Sequence, residues 1–190
     1  MMHTLPKLLL HCCCAPCATS VLERLASDYD ITLFFYNPNI EPEDEFNKRA
    51  SEVVKLLQVT QKEFDGSNHY VAKLAPYKYR HEDFHEVAAH TYGDNLKCRA
   101  CIELRLIVTA ETAGKNNYDF FCTTLTVSPH KDAVYINEIG SMIAKRLEDG
   151  KPKYLTSDFK KQDGFKRSVE LSKLYGLYRQ NYCGCLESKK

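Results

Sequence analysis

The stretch LPKLLLHCCCAPC, residues 5–17, decides the fold. Its first half is a short apolar run that predicts a buried strand, and this run leads directly into three consecutive cysteines. Pro16 suits the first turn of a helix, on which Val21, Leu22 and Leu25 share one face. The stretch therefore predicts a buried strand, a turn that carries thiols, and an amphipathic helix.

Strands and helices continue to alternate along the chain. Apolar runs rich in β-branched and aromatic residues predict further strands over residues 31–37, 59–64, 119–126 and 153–159. Helical spacing of apolar residues predicts helices over residues 42–57, 69–76, 83–90, 98–113, 136–147 and 165–175. This alternation is typical of an α/β fold with a mostly parallel sheet, and we expect one such domain over residues 1–190.

Composition narrows the class of protein and its compartment. The 190 residues are 44% hydrophobic and 27% charged, as expected of a folded domain. No apolar run approaches the roughly 20 residues of a membrane helix, and the N-terminus lacks the features of a secretory signal. We therefore expect a cytoplasmic protein. In that reducing compartment, clustered cysteines are typical of metal binding or redox chemistry rather than of structural disulfides.

Charge is distributed unevenly along the chain. Residues 143–190 contain 12 Lys and Arg against 6 Asp and Glu, whereas residues 1–142 contain 14 against 19. A basic end on an acidic body suits a polyanionic partner such as RNA, although solvated helix faces have the same pattern. The candidate phosphate-binding residues are Lys160, Lys161, Arg167 and Arg179.

The nine cysteines form three groups and two bystanders. Cys122 falls within an apolar strand and is expected to be a small buried hydrophobe, and Cys12 is interpreted as structural. Gly184 allows the tight turn that brings its two neighbouring thiols together. The seven candidate ligands are Cys13, Cys14 and Cys17 in the first group, Cys98 and Cys101 in a CxxC at a helix start, and Cys183 and Cys185 near the C-terminus.

The spacing of these thiols favours an iron–sulfur cluster. A structural zinc ion takes four ligands, usually as two pairs in a compact knuckle, but here the pairs are separated by most of a domain and there are three thiols too many. A cubane cluster takes about four thiolates and accepts ligands from distant segments. A zinc site and a purely thiol-based site remain open as alternatives.

Several segments, spread over nearly the whole chain, resemble the QueH family of cobalamin-independent epoxyqueuosine reductases. They are LLLHCCCAPC at 8–17, YNPNIEPEDEFNKR at 36–49, KCRACIELRL at 97–106, TLTVSPHKD at 124–132, INEIG at 136–140, DFKKQDGFKRSVELS at 158–172 and GLYRQNYCGC at 176–185. The resemblance implies a Rossmann-like (HUP-type) fold in which a cysteine-rich C-terminal tail closes a metal site. It also implies reduction of epoxyqueuosine to queuosine at wobble position 34 of tRNA, the last step of queuosine biosynthesis.

The resemblance also implies a cofactor and roles for the cysteines. The family binds a [4Fe–4S] cluster, with room for an additional mononuclear iron beside it. By position, Cys13, Cys14, Cys98 and Cys101 would hold the cluster. The remaining pair, Cys183 and Cys185, would be a redox-active dithiol or ligands to the second metal, to which Cys17 could also belong.

The reaction requires electrons and an acid. Removing an epoxide oxygen to leave an alkene consumes two electrons and two protons and releases water. Ordinary side chains cannot supply those electrons, so a cofactor and an electron donor, as yet unidentified, are needed. The acid candidates are His130, Asp132, Asp158 and Tyr182. Two other functions stay open at this point: a zinc-stabilised RNA-binding module, and a dithiol oxidoreductase that uses the terminal CGC.

Overall fold

The computed structural model describes residues 4–63, 72–91, 93–147 and 150–189. Its sheet has five strands, all parallel, in the spatial order β3-β2-β1-β4-β5. The strands are β1 (Lys7–His11), β2 (Asp30–Phe34), β3 (Lys73–Leu74), β4 (Phe120–Thr123) and β5 (Lys153–Tyr154). The predicted α/β class with a parallel sheet is therefore confirmed.

Six helices connect and cover these strands. They are α1 (Ala15–Leu25), α2 (Glu43–Glu63), α3 (His81–Ala89), α4 (Asp94–Lys115), α5 (Ala133–Arg146) and α6 (Gly164–Leu174). Two short 3-10 turns, Thr124–Val127 and Leu186–Ser188, complete the described structure. Within the described ranges, no helix combines the length and apolarity that crossing a bilayer requires.

Each face of the sheet has its own apolar core, which explains why the strand that opens the chain is hydrophobic throughout. In β1, Leu8 and Leu10 point into the core beneath α1 and α2, whereas Leu9 points to the opposite face beneath α4 and α5. Successive side chains of a strand alternate between faces, and a parallel sheet is covered on both. The run LLLH is therefore the signature of a central strand, and β1 does lie at the centre.

One predicted strand, over residues 59–64, is wrong. The chain continues there as α2, which ends at Glu63, and residue 64 lies outside the described residues. Leu56 and Thr60 are both buried at helical spacing, and the Thr60 hydroxyl donates to the Leu56 carbonyl oxygen at 3.0 Å. The threonine therefore satisfies its hydroxyl within the helix, so its β-branched side chain does not end α2.

The helix predicted over residues 69–76 is also wrong in its described part. Lys73–Leu74 instead pairs with β2 as the edge strand β3 of the sheet; residues 69–71 lie outside the described residues. Only two residues pair, so the strand is too short to give a period-two pattern in the sequence. Strand β1 ends at His11 as predicted. The strands β2, β4 and β5 are present but end earlier than predicted, because the chain turns away at the carboxyl edge of the sheet.

Candidate metal centre

The chemically informative segments meet at the carboxyl edge of the sheet. The cysteine run follows β1, the turn with Asn37 and Asn39 follows β2, and Thr124 follows β4. Since α4 runs back against the strand direction towards β4, its N-terminal half, with Cys98 and Cys101, lies near the same edge. Ligands of open parallel sheets bind beyond the carboxyl ends of strands where the strand order reverses, here between β1 and β4.

The first thiol group, Cys13, Cys14 and Cys17, is called the trio below. Its three sulfur atoms all lie within 4.8 Å of one another, and the Sγ atoms of Cys13 and Cys14 are 3.9 Å apart. The backbone of Cys14 is extended at the N-cap of α1, and Cys17 lies one turn further along that helix. Thr124 fixes Cys13: its hydroxyl accepts from the Cys13 N–H at 3.0 Å and donates to the Cys13 sulfur at 3.2 Å.

The trio stabilises one thiolate. Hydrogen bonds from Cys13, from Cys17 and from the Gln180 amide hold the pKa of Cys14 well below its usual value. Because its thiol donates to Cys14, Cys13 has a pKa raised to about 11. Hydrogen bonds to Cys13 and to Cys14 raise the pKa of Cys17. The start of a helix also favours negative charge. Among the three thiols of the trio, Cys14 is therefore the one whose surroundings favour the thiolate form.

A second group of thiols, called the quartet, consists of Cys98, Cys101, Cys183 and Cys185. All four line one cavity of about 110 Å³, to which Arg105 and Lys131 also contribute. Burial raises the pKa of both Cys98 and Cys101, and the cations of Lys131 and Arg105 oppose that rise. The structure therefore places the CxxC motif of α4 opposite the terminal CGC.

A buried guanidinium links the two thiol groups. Arg105 is 2% exposed, and its Nε donates to the Cys101 carbonyl oxygen at 3.0 Å. Burial disfavours its charge, but the thiols of Cys101, Cys183 and Cys13 outweigh that effect and raise its pKa. One cation therefore acts on members of both the trio and the quartet, as expected of a residue that offsets the negative charge of a thiolate-bound cofactor.

His11, at the end of β1, is a neutral core residue rather than a ligand. Burial, assisted by the Arg105 cation, lowers its pKa to about 4. One ring nitrogen bonds to the Thr123 hydroxyl at 2.8 Å, and the other donates to the Tyr36 carbonyl oxygen at 3.0 Å. Both nitrogens are therefore occupied. The two predicted bystanders are buried as well: Cys122 bonds to the Leu155 carbonyl oxygen, and Cys12 to that of Cys14.

The C-terminal tail, residues 176–189, closes the quartet's cavity by docking on the turn after β2. The backbone N–H of Glu41 donates to Gly184 at 3.1 Å, and the Tyr182 hydroxyl donates to the Glu41 carbonyl oxygen at 2.7 Å. The buried Arg49 donates to the Cys183 carbonyl oxygen at 3.0 Å. At Gly184, φ is +148° and an added Cβ would lie 2.5 Å from the Asn39 amide nitrogen. Both the backbone angle and the close approach of Asn39 therefore favour glycine at the position where the tail docks.

The acid candidates from the sequence lie in different settings. His130 is exposed; Asp132 caps α5, its Oδ1 accepting from two backbone N–H groups at 2.9 and 3.2 Å. Asp158 pairs with Lys160 at 3.3 Å, and the hydroxyl of Tyr182 anchors the tail. The residue of this loop that lines the quartet's cavity is Lys131, which the sequence analysis did not single out. Its position inside the TLTVSPHKD segment was the available signal.

The predicted phosphate-binding residues cluster around α6 and make intramolecular contacts. Arg167 forms a bidentate ion pair with Glu23 at 2.7 and 2.9 Å, and Arg179 donates to Ser172 at 3.2 Å. Lys160 donates to the Lys131 carbonyl oxygen, whereas Lys161 is largely exposed. Their role in RNA binding stays a prediction.

The donor atoms at this edge fit a metal cofactor. Cysteine sulfurs are soft ligands that suit iron–sulfur clusters and zinc, and the trio and the quartet both include thiols that interact with Arg105. Two buried polar atoms beside them, Asn39 Oδ1 and Gln180 Oε1, have no hydrogen-bond partner among the described residues. Such an amide oxygen can coordinate a metal ion or accept a hydrogen bond from a bound water molecule.

Comparison with known proteins gives consistent matches. The family model described as "Epoxyqueuosine reductase QueH" matches residues 8–190. A relative of that name from Staphylococcus epidermidis is 38% identical over 95% of this chain and 75% of its own length. Relatives of the same name from Thermotoga maritima and Dehalococcoides mccartyi are 34% and 32% identical, over 95% and 97% of this chain and 88% and 93% of theirs.

Proposed function

The chain belongs to the epoxyqueuosine reductase QueH family, and we propose that it reduces epoxyqueuosine to queuosine in tRNA by means of a thiolate-bound iron–sulfur cluster. Family membership makes the chain an oxidoreductase, and the structure contains a cysteine cluster suited to metal. The observation that supports the cofactor is that the buried Arg105 lines the cavity of the quartet and also interacts with Cys13 of the trio. We further propose that the substrate is the wobble nucleoside, position 34, of tRNA.

We assign the cluster to four cysteines, two from each group. Cys13 and Cys14 of the trio and Cys98 and Cys101 of the quartet are the proposed ligands of a [4Fe–4S] cluster. Arg105 supports this assignment, because its cation acts on Cys13 as well as on Cys101. The remaining thiols, Cys17, Cys183 and Cys185, are then available for a second iron or for dithiol chemistry.

One distance favours a second arrangement. Two thiolates that share one tetrahedral ion at about 2.3 Å lie ~3.8 Å apart. The separation of 3.9 Å between the sulfurs of Cys13 and Cys14 has this value, so the trio also suits a mononuclear ion, with the cluster on the quartet. Metal analysis of Cys14→Ser separates the two arrangements. Loss of the cluster favours the first arrangement, whereas loss of one ion with the cluster intact favours the second.

The cofactor would supply electrons, and the chain must supply binding and protons. A bound cluster delivers the two electrons singly. The oxygen leaves as water, so a proton donor must reach the cavity beside the cofactor. Lys131 lines that cavity, whereas His130 and Asp132 are exposed and Asp158 is paired with Lys160. We therefore place Lys131 first among the acid candidates.

Lys131→Met tests this role. We expect the turnover number to fall by about 10²- to 10⁴-fold, the usual contribution of a positioned acid, with iron content unchanged. The measurement is queuosine formation under single-turnover conditions. Lys151→Met is the matched control, since Lys151 is an exposed lysine that pairs with Asp119, before the start of β4, and it should retain activity. Full activity of Lys131→Met would return the role to Asp158 or Tyr182.

Asp132 has a structural role that two substitutions isolate. Because Asp132 caps α5, Asp132→Ala should cost about 1 kcal/mol of unfolding free energy, whereas Asp132→Asn keeps a capping oxygen and should be nearly neutral. We expect both variants to keep the wild-type turnover number below their melting temperatures. Urea denaturation and the tRNA assay check this. A loss of activity in Asp132→Asn at unchanged stability would identify Asp132 as the acid.

The deciding experiment for the whole proposal has two stages. Anaerobically purified protein is analysed for iron, zinc and acid-labile sulfide, and is then incubated with epoxyqueuosine-containing tRNA and a chemical reductant. We expect a brown iron–sulfur protein and queuosine in the nucleoside mass analysis. A colourless zinc protein that binds tRNA without turnover would instead support the RNA-binding module. Turnover by metal-free protein would support the dithiol oxidoreductase.

A further inference from the structure

A second set of metal-binding side chains lies beside the tail and contains no cysteine. The donor atoms of Glu41, His81 and His85 all lie within 4.8 Å of one another. We propose that these three residues bind one divalent ion of the zinc type, which fixes the docked C-terminal tail. The site is separate from the trio and the quartet, and the proposal does not depend on the identity of their cofactor.

Local structure brings the three ligands together. His81 is the first residue of α3 and His85 lies four residues later, so their side chains are neighbours on one face of the helix. Their ring centroids are 4.2 Å apart. Glu41 ends the turn after β2, and its Oε2 lies 3.1 Å from His81 Nε2. Two imidazoles and one carboxylate thus face one point near the surface; Glu41 and His81 are half-buried and His85 is exposed.

The hydrogen bonds of His81 indicate that a cation belongs between it and Glu41. Its Nδ1 lies 2.7 Å from the Pro38 carbonyl oxygen, which can only accept, so Nδ1 carries the hydrogen. In the neutral ring, Nε2 then presents a lone pair to a carboxylate oxygen. That contact is repulsive unless a proton or a metal ion lies between the two atoms. A histidine whose other nitrogen donates to a backbone carbonyl is also the usual form of a metal ligand.

The distances fit zinc. Zinc binds histidine nitrogen at about 2.0–2.1 Å and carboxylate oxygen at about 2.0–2.2 Å, so two such ligands of a tetrahedral ion lie ~3.4 Å apart. The observed 3.1 Å between His81 and Glu41 is close to this value. Two imidazoles and one carboxylate suit zinc and similar divalent ions, whereas iron–sulfur clusters require thiolates. Water would complete the coordination, since three protein ligands are present.

Glu41 couples this site to the tail. Its other carboxylate oxygen, Oε1, accepts from the Leu186 N–H at 2.9 Å, while its backbone bonds to Gly184 and Tyr182. An ion on Oε2 would hold the carboxylate in the position that the tail requires. The segment so held carries Cys183 and Cys185, so we infer that the ion stabilises the closed form of the quartet's cavity.

The first test is a zinc titration of the cluster-loaded protein under anaerobic conditions. Isothermal titration calorimetry compares wild type, His85→Gln and the control His90→Gln, which removes an exposed histidine at the end of the same helix. We expect wild type and His90→Gln to bind one more equivalent of zinc than His85→Gln, or to bind it more than 100-fold tighter. Any zinc bound by free thiols contributes equally in all three proteins, because their cysteines are the same, and it does not affect the difference between them. Equal stoichiometry and affinity in all three proteins would refute the proposed zinc site. The contact between His81 and Glu41 would then be a hydrogen bond rather than a pair of metal ligands.

The second test concerns the tail and does not use activity. Zinc should slow hydrogen–deuterium exchange in the peptide covering residues 176–189 of wild type and of His90→Gln, but not of His85→Gln. X-ray absorption at the zinc edge should show nitrogen and oxygen neighbours for the extra ion. Sulfur neighbours would assign that ion to the cysteines and refute the proposal. Zinc binding without slower exchange in the tail would refute the role in closure.

Discussion

The Cys101→Ser variant is expected to lose the iron of its cluster and to lose reductase activity by well over 100-fold. Removing a residue that only supports a metal ligand already costs up to ~100-fold, and Cys101 is a proposed ligand itself. Cys101 is 6% exposed and lines the quartet's cavity, and its carbonyl oxygen receives the Arg105 guanidinium. Serine has nearly the same size, so packing is preserved. Its hydroxyl, however, is a hard and weakly acidic donor that does not replace a thiolate on iron.

Cys122→Ser is the matched control for this loss. Cys122 is also fully buried, and its thiol bonds within the core to the Leu155 carbonyl oxygen at 3.1 Å. Cys122 neither belongs to the trio nor lines the quartet's cavity. Iron, acid-labile sulfide and the visible spectrum should therefore match wild type. Iron loss in this variant would mean that Cys122 is not a bystander; iron retention in Cys101→Ser would refute the proposed ligand.

The sequence predicted the fold best where burial is complete. The run of β1 is apolar on both faces because helices cover both, so its strand could be recognised from three leucines alone. The edge strand Lys73–Leu74 was missed because it pairs over only two residues and leaves Lys73 exposed. At such an edge, pairing with β2 decides the structure, and local propensity carries little information.

The candidate site was predicted by residue type, whereas its arrangement in space required the structure. Spacing identified all seven candidate thiols, and the assignment of Cys13, Cys14, Cys98 and Cys101 to one cluster, which the resemblance implies, stays a prediction. The structure places the CxxC pair on the cavity that Cys183 and Cys185 also line. That grouping depends on where the tail docks, and the docking depends on long-range bonds from Arg49 and Glu41 that no local pattern encodes.

Lys131 and the Glu41–His81–His85 set were missed for a related reason. Lysine is common on surfaces, and nothing in its spacing distinguishes Lys131 from its neighbours until the loop after β4 is placed beside α4. The two histidines have helical spacing, but their third ligand is forty residues away in the chain. Sites assembled across connections of the sheet become visible only when the topology is known.

The tail therefore connects the parts of the molecule that carry the chemistry. It contributes two thiols to the quartet's cavity, the Gln180 amide to Cys14 of the trio, and a backbone N–H to Glu41. The docked position of the tail depends on Gly184, where φ is positive and the backbone packs closely against Asn39 and Ile40. A change at this one residue should affect catalysis more than folding, since the tail meets the apolar core beneath α1 and α2 here only at its edge, through Ile40.

Gly184→Ala is expected to reduce the rate of queuosine formation by about 100-fold, because a shift of ~1 Å in positioned groups costs that much. The new Cβ would lie 2.5 Å from Asn39 Nδ2 and 3.0 Å from Ile40 Cγ1, and alanine disfavours a φ of +148°. The tail must therefore move, carrying Cys183 and Cys185 away from Cys98 and Cys101. Single-turnover kinetics and hydrogen–deuterium exchange of residues 176–189 measure the two effects.

Gly150→Ala is the control that distinguishes the two effects of Gly184→Ala, the steric contact of the new Cβ and the strain of a positive φ. Gly150 has a φ of +64°, but an added Cβ there meets nothing within 4 Å, so this variant carries only the conformational cost of about 1 kcal/mol. It should lower the melting temperature slightly and leave the reaction rate unchanged. If Gly184→Ala behaved in the same way, with the tail still docked and activity intact, Asn39 would be able to yield, and the close fit of the tail would not be needed for catalysis. A slow Gly184→Ala variant with normal melting behaviour would instead establish that the docked tail completes the active site.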